Sequence, residues 1–221
     1  VNDLNTARSL LAGCGTSTAG LAFGGNEDTE TWNGTNWTEV NNLNAAKDAL
    51  GGFGTNTSAL AFGGSEPGGN TANTELWNGT NWTEVNNLGG AKRFVAGAGA
   101  DNTTGLCFGG NPGPTANTEL WNGTNWAEVN NLNTARNQLA GLGTQPSALA
   151  FGGEGPPNLA ITELWNGTSW SEQGDLNAAV RFNAGAGTTT AGLSFGGDNG
   201  PVKAATESWN VPSNVVKTLT D

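Results

Sequence analysis

Carboxylates are the most abundant side chains in this sequence that could take part in chemistry. The chain of 221 residues has 19 Asp and Glu, eight Lys and Arg, and neither His nor Tyr. The acidic cluster Asn26-Glu27-Asp28 could offer oxygen ligands to calcium, which prefers such groups. It lacks the spaced ligand series of a dedicated calcium loop, so we expect a solvated turn and predict neither a metal nor another cofactor.

The sequence offers little to an enzyme. Without histidine and tyrosine it lacks the commonest general base, the commonest zinc and copper ligand and a nucleophilic phenol. A pair of carboxylates could hydrolyse a glycosidic bond, but no acidic pair stands out from the acids that recur along the chain. The glycine-rich segments lack the Gly-Lys-Ser/Thr of a phosphate-binding loop. We therefore predict a protein that is not an enzyme.

The charge balance argues against two classes of partner. The net charge is −11, whereas nucleic acids and anionic membranes are bound through Lys and Arg. We therefore predict no binding to nucleic acid and no insertion into a membrane. One repeated position is basic in four copies: Arg8, Lys47, Lys92 and Arg136. Two repeated sets of glutamates are the predicted partners: Glu30, Glu75, Glu119, Glu163 and Glu207, or Glu39, Glu84, Glu128 and Glu172.

These charges belong to a unit that occurs five times and fills the chain. Each copy has Phe-Gly-Gly, a variable stretch and then Thr-Glu-x-Trp-Asn, with the tryptophans 45, 44, 44 and 44 residues apart: Trp32, Trp77, Trp121, Trp165 and Trp209. A fixed period of this length is typical of solenoids and propellers. Each unit contains four short apolar runs of strand length, which in the second copy are 46–54, 58–63, 73–78 and 81–86.

Turn residues arrange the runs. Asn33-Gly34 and its counterparts separate the last two runs, and Asn-Gly favours a tight hairpin. The first run is rich in glycine, which indicates a close approach of backbones around an axis. The sequence thus predicts an all-β, five-bladed β-propeller with four antiparallel strands per blade. We expect one domain, 1–221, with repeats of approximately 1–39, 40–84, 85–128, 129–172 and 173–221; the alternative is a slice of a longer array.

The double glycine followed by two spaced aromatic residues resembles the kelch repeat, and the resemblance covers the whole chain. It departs in its shorter unit, since kelch repeats have about 50 residues, and in having Trp at the first aromatic position. The Asn- and Thr-rich copies are also similar to repeats of phage tail fibres and other virion structural proteins. The chain has no methionine and begins with Val1, so we expect a mature or excised segment. Cys14 and Cys107 are interpreted as small buried thiols.

The stretch between the double glycine and Thr-Glu varies most, with 3, 9, 7, 8 and 8 residues in the five copies. Variable loops on a repeated scaffold usually carry specificity. The candidate ligand-binding residues are therefore Asn26, Glu27, Asp28, Glu66, Asn70, Asn111, Asn117, Glu154, Asn158, Asp198 and Asn199. The second tryptophans of the hairpins are interpreted as core residues that could also stack on a sugar: Trp37, Trp82, Trp126 and Trp170.

The sequence predicts a recognition module displayed on a surface. Asn, Asp, Glu and Trp suit hydroxyl-rich ligands, and repeated weak sites on a rigid ring gain by avidity. The predicted partner is a glycan or a cell-surface receptor, and the predicted location is extracellular or on a virion surface. The alternative is a structural or protein-docking module of a virion, tail fibre or extracellular appendage, whose loops would contact neighbouring subunits.

Overall fold

A computed structural model describes residues 1–210 and the backbone of residues 217–219. Every regular element in this part of the chain is a β-strand, and the strands form five small antiparallel sheets arranged as a five-bladed propeller. Among these residues no helix exists that could span a membrane. The predicted fold class is confirmed.

Each blade takes its four main strands from one continuous stretch of chain. Blade 1 contains β1 (Leu11–Thr16), β2 (Ala19–Gly24), β3 (Thr29–Trp32) and β4 (Trp37–Val40). Blade 2 contains β5 (Gly51–Gly54), β6 (Ala59–Phe62), β9 (Thr74–Trp77) and β10 (Trp82–Val85), with a small hairpin of β7 (Ser65–Glu66) and β8 (Gly69–Asn70). Blade 3 contains β11 (Ala96–Asp101), β12 (Thr104–Phe108), β13 (Thr118–Trp121) and β14 (Trp126–Val129). Blade 4 contains β15 (Ala140–Thr144), β16 (Ser147–Phe151), β17 (Thr162–Trp165) and β18 (Trp170–Glu172). Blade 5 contains β19 (Ala184–Thr188), β20 (Ala191–Phe195), β21 (Thr206–Asn210) and β22 (Lys217–Leu219).

The innermost strand of blade 2 is shorter than the sequence suggested. The predicted run 46–54 is a strand only from Gly51, because Ala49 has a φ of 52° and turns the backbone before the strand begins. A positive φ occurs at the equivalent residue just before the innermost strand of every blade: Leu10, Ala49, Phe94, Gln138 and Phe182. At these residues the chain leaves the linker and enters the blade. The hairpin β7–β8 inside the variable loop of blade 2 was not predicted.

The Asn-Gly segments close the outer hairpins as predicted, though by a longer turn. Trp32 pairs with Trp37, so four residues rather than two connect the strands. The side-chain oxygen of Asn33 accepts hydrogen bonds at 2.9 Å from the backbone N–H groups of Thr35 and Asn36, while Gly34 adopts a φ of 91°. The Asn therefore acts as an acceptor for the turn, and only the Gly supplies the left-handed conformation.

The glycines of the inner strands make room for phenylalanine rings. A Cβ atom at Gly52 would lie 2.4 Å from Cζ of Phe23 in the preceding blade, and one at Gly141 would lie 2.6 Å from Cζ of Phe108. The carbonyl oxygen of Gly97, on the neighbouring inner strand, would also lie 2.9 Å from that Cβ at Gly141. The prediction of close backbone approach is thus confirmed in part, because an aromatic ring of the neighbouring blade occupies much of the space.

The two tryptophans of the hairpins in blades 2 to 4 have different roles. The first donates its indole N–H to a carbonyl of its own blade, as Trp77 does to Asn56 at 3.0 Å. The second reaches the preceding blade, where Trp82 donates to Oγ1 of Thr29 at 2.9 Å and packs on the ring of Phe23. Trp126 and Trp170 make the same two contacts one blade further on each time. These side chains stabilise the blade interfaces, which supports their interpretation as core.

Buried ion pairs fasten the linkers to the blades. Arg8–Glu30 and Arg136–Glu163 have N–O distances of 3.0 Å, and Lys47–Glu75 has one of 2.7 Å. A fourth pair joins Lys92 to Glu119. The first predicted set of glutamates therefore contains the partners of the repeated basic residues. The second set was wrong, because its members are exposed and form no ion pair with a described side chain: Glu39, Glu84, Glu128 and Glu172.

Candidate functional site: a groove in blade 3

One position of the linkers is an asparagine in four copies and a glycine in the third: Asn5, Asn44, Gly89, Asn133 and Asn177. In blade 4 the side-chain amide of Asn133 donates to Glu163 at 2.8 Å and to the carbonyl of Trp170 at 3.1 Å. Its amide thereby lies against the backbone of the second tryptophan of that blade. The sequence alone shows this substitution, but only the structure shows what the asparagine covers.

Gly89 keeps the backbone half of this arrangement and loses the side-chain half. Its N–H donates to Oε2 of Glu119 at 2.7 Å, as Asn133 does to Glu163. Nothing from Gly89 extends toward the carbonyl of Trp126. Trp126 is half-buried, whereas Trp82 and Trp170, whose carbonyls accept from an asparagine, are buried. Trp37 is half-buried as well although Asn5 donates to its carbonyl, but no blade precedes it in the chain.

The missing side chain opens a groove of about 310 Å³. We call it the blade 3 groove, and it is lined by Gly89, Gly90, Ala91, Lys92, Pro112, Thr115, Asn117, Glu119, Trp126 and Glu128. Two predicted site residues, Asn117 and Trp126, meet here although they come from different elements. Asn117 is the last residue of the variable loop between β12 and β13, and Trp126 is the first residue of β14.

The polar groups of the groove fall into a fixed set and an available set. Glu119 is held by Lys92 and by the N–H of Gly89, and the indole N–H of Trp126 is held by Thr74. These groups shape the groove. Glu128 is exposed and forms no ion pair with any described side chain. It can therefore accept hydrogen bonds from a ligand.

Asn117 and Thr115 supply the other available groups. The Thr115 hydroxyl donates to Oδ1 of Asn117 at 2.9 Å, which orients the amide. The exposed Nδ2 of Asn117 donates to no described residue. The blade 3 groove therefore combines the half-buried Trp126 with an amide donor and a carboxylate acceptor. This is a suitable set for a small ligand with an apolar face and a polar edge.

The other candidate residues lie on the same edge of the propeller but outside this groove. Each linker donates to the variable loop of the blade before it, as Leu43 N–H does to the carbonyl of Glu27 at 2.9 Å. Loops and linkers therefore share one face. In blade 1 the loop is closed on itself, since Oδ1 of Asn26 accepts from the Asp28 N–H at 2.7 Å. The Asp28 carbonyl accepts from Arg8, and Glu27 is exposed.

In the remaining loops most candidates hold the loop in place. Asn70 donates to the carbonyl of Asn111 in the next blade at 3.2 Å, and Glu66 accepts from Asn73 at 3.0 Å. Arg181 pairs with Glu154 at 3.2 Å and with Asp198 at 3.0 Å, and its side chain holds the pKa of Asp198 below the usual value through that hydrogen bond. Asn158 pairs with Glu154 through the backbone, while Asn199 is exposed.

No convergent metal site occurs among the described residues, which contain no group of three or more Cys, Asp or Glu side chains suited to an ion. Both thiols lie in blade interfaces, and burial raises the pKa of Cys14 and of Cys107 to about 12. The chain matches no protein-family model and no curated protein.

Blade 5 contains a second departure from the repeat. Val180 occupies the position of the repeated basic residue, and Glu207 is buried with hydrogen bonds from Asn177 but with no described basic side chain within ion-pair distance. A cavity of about 220 Å³ lies between Val180 and Glu207, and Ser194 and Ala205 also line it. In blade 1 the counterparts of these residues accept hydrogen bonds from Arg8.

Replacing Val180 with Arg should therefore stabilise the protein. The guanidinium would fill the cavity and pair with Glu207, and a hydrogen bond to a charged group contributes about 1.5 kcal/mol or more. In a protein of this size that corresponds to a rise in the melting temperature of roughly 3–6 °C, which thermal unfolding can measure. Val180→Met is the control, because it fills the cavity without charge. An equal gain from both variants would show that volume alone matters.

Proposed function

We propose that this protein is a non-catalytic recognition module that binds carbohydrate in the blade 3 groove. The observation that supports the proposal most is the half-buried Trp126 in a groove that Gly89 also lines, because an accessible indole can serve as a platform on which pyranose rings stack. Asn117 and Glu128 lie beside it as donor and acceptor for hydroxyl groups. The volume of about 310 Å³ fits one or two sugar rings, so the ligand is a terminal or short saccharide.

The proposal keeps the class of ligand and narrows the place where it binds. The sequence pointed to all the variable loops as binding sites, whereas we now propose a single groove. The loop of blade 3 contributes Thr115 and Asn117 to it. We also propose kinship with kelch repeats. Its support is the double glycine at the end of the second strand, followed by tryptophans on the third and fourth strands. A receptor bearing glycans, a location outside the cell or on a virion surface, and the alternative role in a fibre or appendage stay predictions.

The test is glycan-array binding followed by titration with the saccharides that bind. Gly89→Asn should reduce binding at least tenfold, because the asparagine would cover Trp126 as Asn133 covers Trp170. Such a single site is expected to bind with a dissociation constant of about 0.1–1 mM. The substitution restores the residue found in the other four copies, so thermal stability should be unchanged or higher.

Two matched variants complete the experiment. Asn133→Gly should uncover Trp170 and create a second groove, so it should add a binding site at some cost in stability. Asn199→Ala, in the exposed loop of blade 5, should leave binding unchanged. The proposal is wrong if no saccharide on a broad array binds, or if Gly89→Asn binds as well as the original chain.

A further inference from the structure

We propose that two copies of this chain bind each other head to tail, with blade 5 of one copy seated on blade 1 of the next. The inference starts from a repeated interface. In each of the first four blades a phenylalanine of the second strand projects onto the following blade. The phenylalanines of blades 1 to 3 there meet an inner-strand glycine and the second tryptophan: Phe23 meets Gly52 and Trp82, Phe62 meets Gly97 and Trp126, and Phe108 meets Gly141 and Trp170. Phe151 of blade 4 meets the glycine alone, Gly185.

Among the described residues, blade 5 presents the same side chains partly uncovered. Phe195 is 40% exposed and Leu193 is 38% exposed, whereas their counterparts in blades 1 to 4 are at most 4% exposed. These counterparts are Phe23, Phe62, Phe108 and Phe151, and Leu21, Leu60, Leu106 and Leu149. We call the surface formed by Leu193 and Phe195 the donor face, since it offers the phenylalanine.

Blade 1 presents the complementary surface, also uncovered. A Cβ atom at Gly13 would meet only the carbonyl of Leu21, with no aromatic ring in reach. Trp37 contacts the ring of Trp32 but no phenylalanine, and it is half-buried. A cleft of about 500 Å³ lies over Gly13, Gly20 and Trp37. We call this surface the acceptor face.

The backbone near the propeller axis also lacks a contact between blades 5 and 1. The N–H groups of four successive blades donate to the blade before them: Ala49 to Leu10, Phe94 to Ala49, Gln138 to Phe94 and Phe182 to Gln138, at 2.7 to 3.0 Å. A fifth bond, from Leu10 to Phe182, would complete the series, and it is not formed in the described structure. Blades 1 and 5 therefore lack the backbone contact that joins every other neighbouring pair.

The occupant that fits these faces is a second copy of the chain. The acceptor face has the glycine and tryptophan that receive a phenylalanine, and the donor face is the one that carries a free phenylalanine in the same setting. No charged side chain lines the cleft, although the N-terminal residue Val1 does, so its burial desolvates no charged side chain even though the chain has a net charge of −11. Because the two faces differ, the contact is heterologous and each copy keeps one free face.

Sedimentation velocity with complementary variants tests the proposal. Phe195→Asp removes the donor face, and Gly13→Leu fills the acceptor face, where a Cβ atom meets only the carbonyl oxygen of Leu21 at 3.3 Å. At protein concentrations of roughly 1 to 200 µM, a range that covers interfaces of moderate affinity, the original chain should rise to at least twice the monomer mass of 22.4 kDa. Each variant alone should stay monomeric.

Mixing the two variants gives the decisive result. The intact donor face of the Gly13→Leu chain should bind the intact acceptor face of the Phe195→Asp chain, and the mixture should form a one-to-one dimer and nothing larger. Closure of blade 5 onto blade 1 within one molecule would leave the original chain monomeric and would overturn the proposal. Association of the original chain without dimer formation in the mixture would overturn it as well, because another surface would then be responsible.

Discussion

Replacing Arg136 with Met should lower the free energy of unfolding by about 3–5 kcal/mol, the usual cost of removing one partner of a buried ion pair. Arg136 and Glu163 both have fully buried side chains and lie 3.0 Å apart. Burial lowers the pKa of Arg136, and the carboxylate of Glu163 opposes that shift. Each charge of the pair therefore compensates for the burial of the other. Denaturant unfolding of Arg136→Met would measure how much free energy of unfolding is lost when the carboxylate of Glu163 stays buried without a partner.

The double variant Arg136→Met with Glu163→Gln separates charge from packing. It leaves no charge buried, and the amide oxygen of the glutamine can still accept from Asn133. We expect it to be more stable than Arg136→Met alone. Arg181→Met is a surface control, since the ion pairs of Arg181 are about one-third exposed and exposed pairs contribute little. A large loss in Arg181→Met, or a double variant no better than the single one, would contradict this account.

Replacing Phe108 with Ala should also cost about 3–5 kcal/mol, as expected for deletion of a buried aromatic ring. The ring lies 4.8 Å from that of Trp170 and fills the space over Gly141. Gly141 has no side chain of its own that could fill the cavity left by the ring. Equilibrium unfolding in urea measures the loss, and the slope of the transition shows whether blades 3 and 4 still unfold together.

The same substitution at Phe195 provides an internal comparison. Phe195 holds the same position of the repeat and is 40% exposed, so Phe195→Ala should cost less than about 1 kcal/mol in dilute protein. Both variants remove the same phenyl ring, in Phe108→Ala from a buried blade interface and in Phe195→Ala from a partly exposed surface. A cost at Phe195 as large as that at Phe108 would show that blades 1 and 5 meet in the monomer, contrary to the structure described.

The fold could be predicted because every level of the repeat indicates the same architecture. The period, the four runs per unit and the Asn-Gly segments each predicted a part of the blade, and errors were confined to local detail. The predicted strand that ends at Gly54 was too long at its start, because nothing in the residue types around Ala49 indicates a positive φ there. The predicted outer turn was too short, with two residues instead of four, because Asn-Gly sequences such as Asn33-Gly34 also occur in two-residue turns.

The candidate site was harder to predict because it depends on what one side chain covers. Variation in loop length directed attention to eleven loop residues, most of which hold their own loops. The groove arises instead from Gly89, a single exception in a column of asparagines that was visible in the sequence. Its meaning required knowing that Asn133 reaches the carbonyl of Trp170. Asn117 and Trp126 were predicted, but their meeting in one groove follows from the tertiary structure alone.

The uncovered boundary between blades 1 and 5 could not be read from the sequence. Phe195 and Trp37 fit the repeat as well as their counterparts do, and a count of five units predicts five interfaces. Whether the fifth one forms depends on the angle between successive blades, which small packing differences determine over four interfaces. Such an accumulated angle is not encoded at any one residue.

The directional series of backbone bonds from Leu10 to Phe182 has a thermodynamic consequence. In a closed ring the loss of any one blade breaks two interfaces, so all blades share the same protection. Among the described residues this series of backbone bonds joins blades 1 and 5 to one neighbour each, so detaching either one breaks only one such link. The free energy needed to open the molecule locally is therefore lowest at these two blades and highest at blade 3, as in a linear array of coupled repeats.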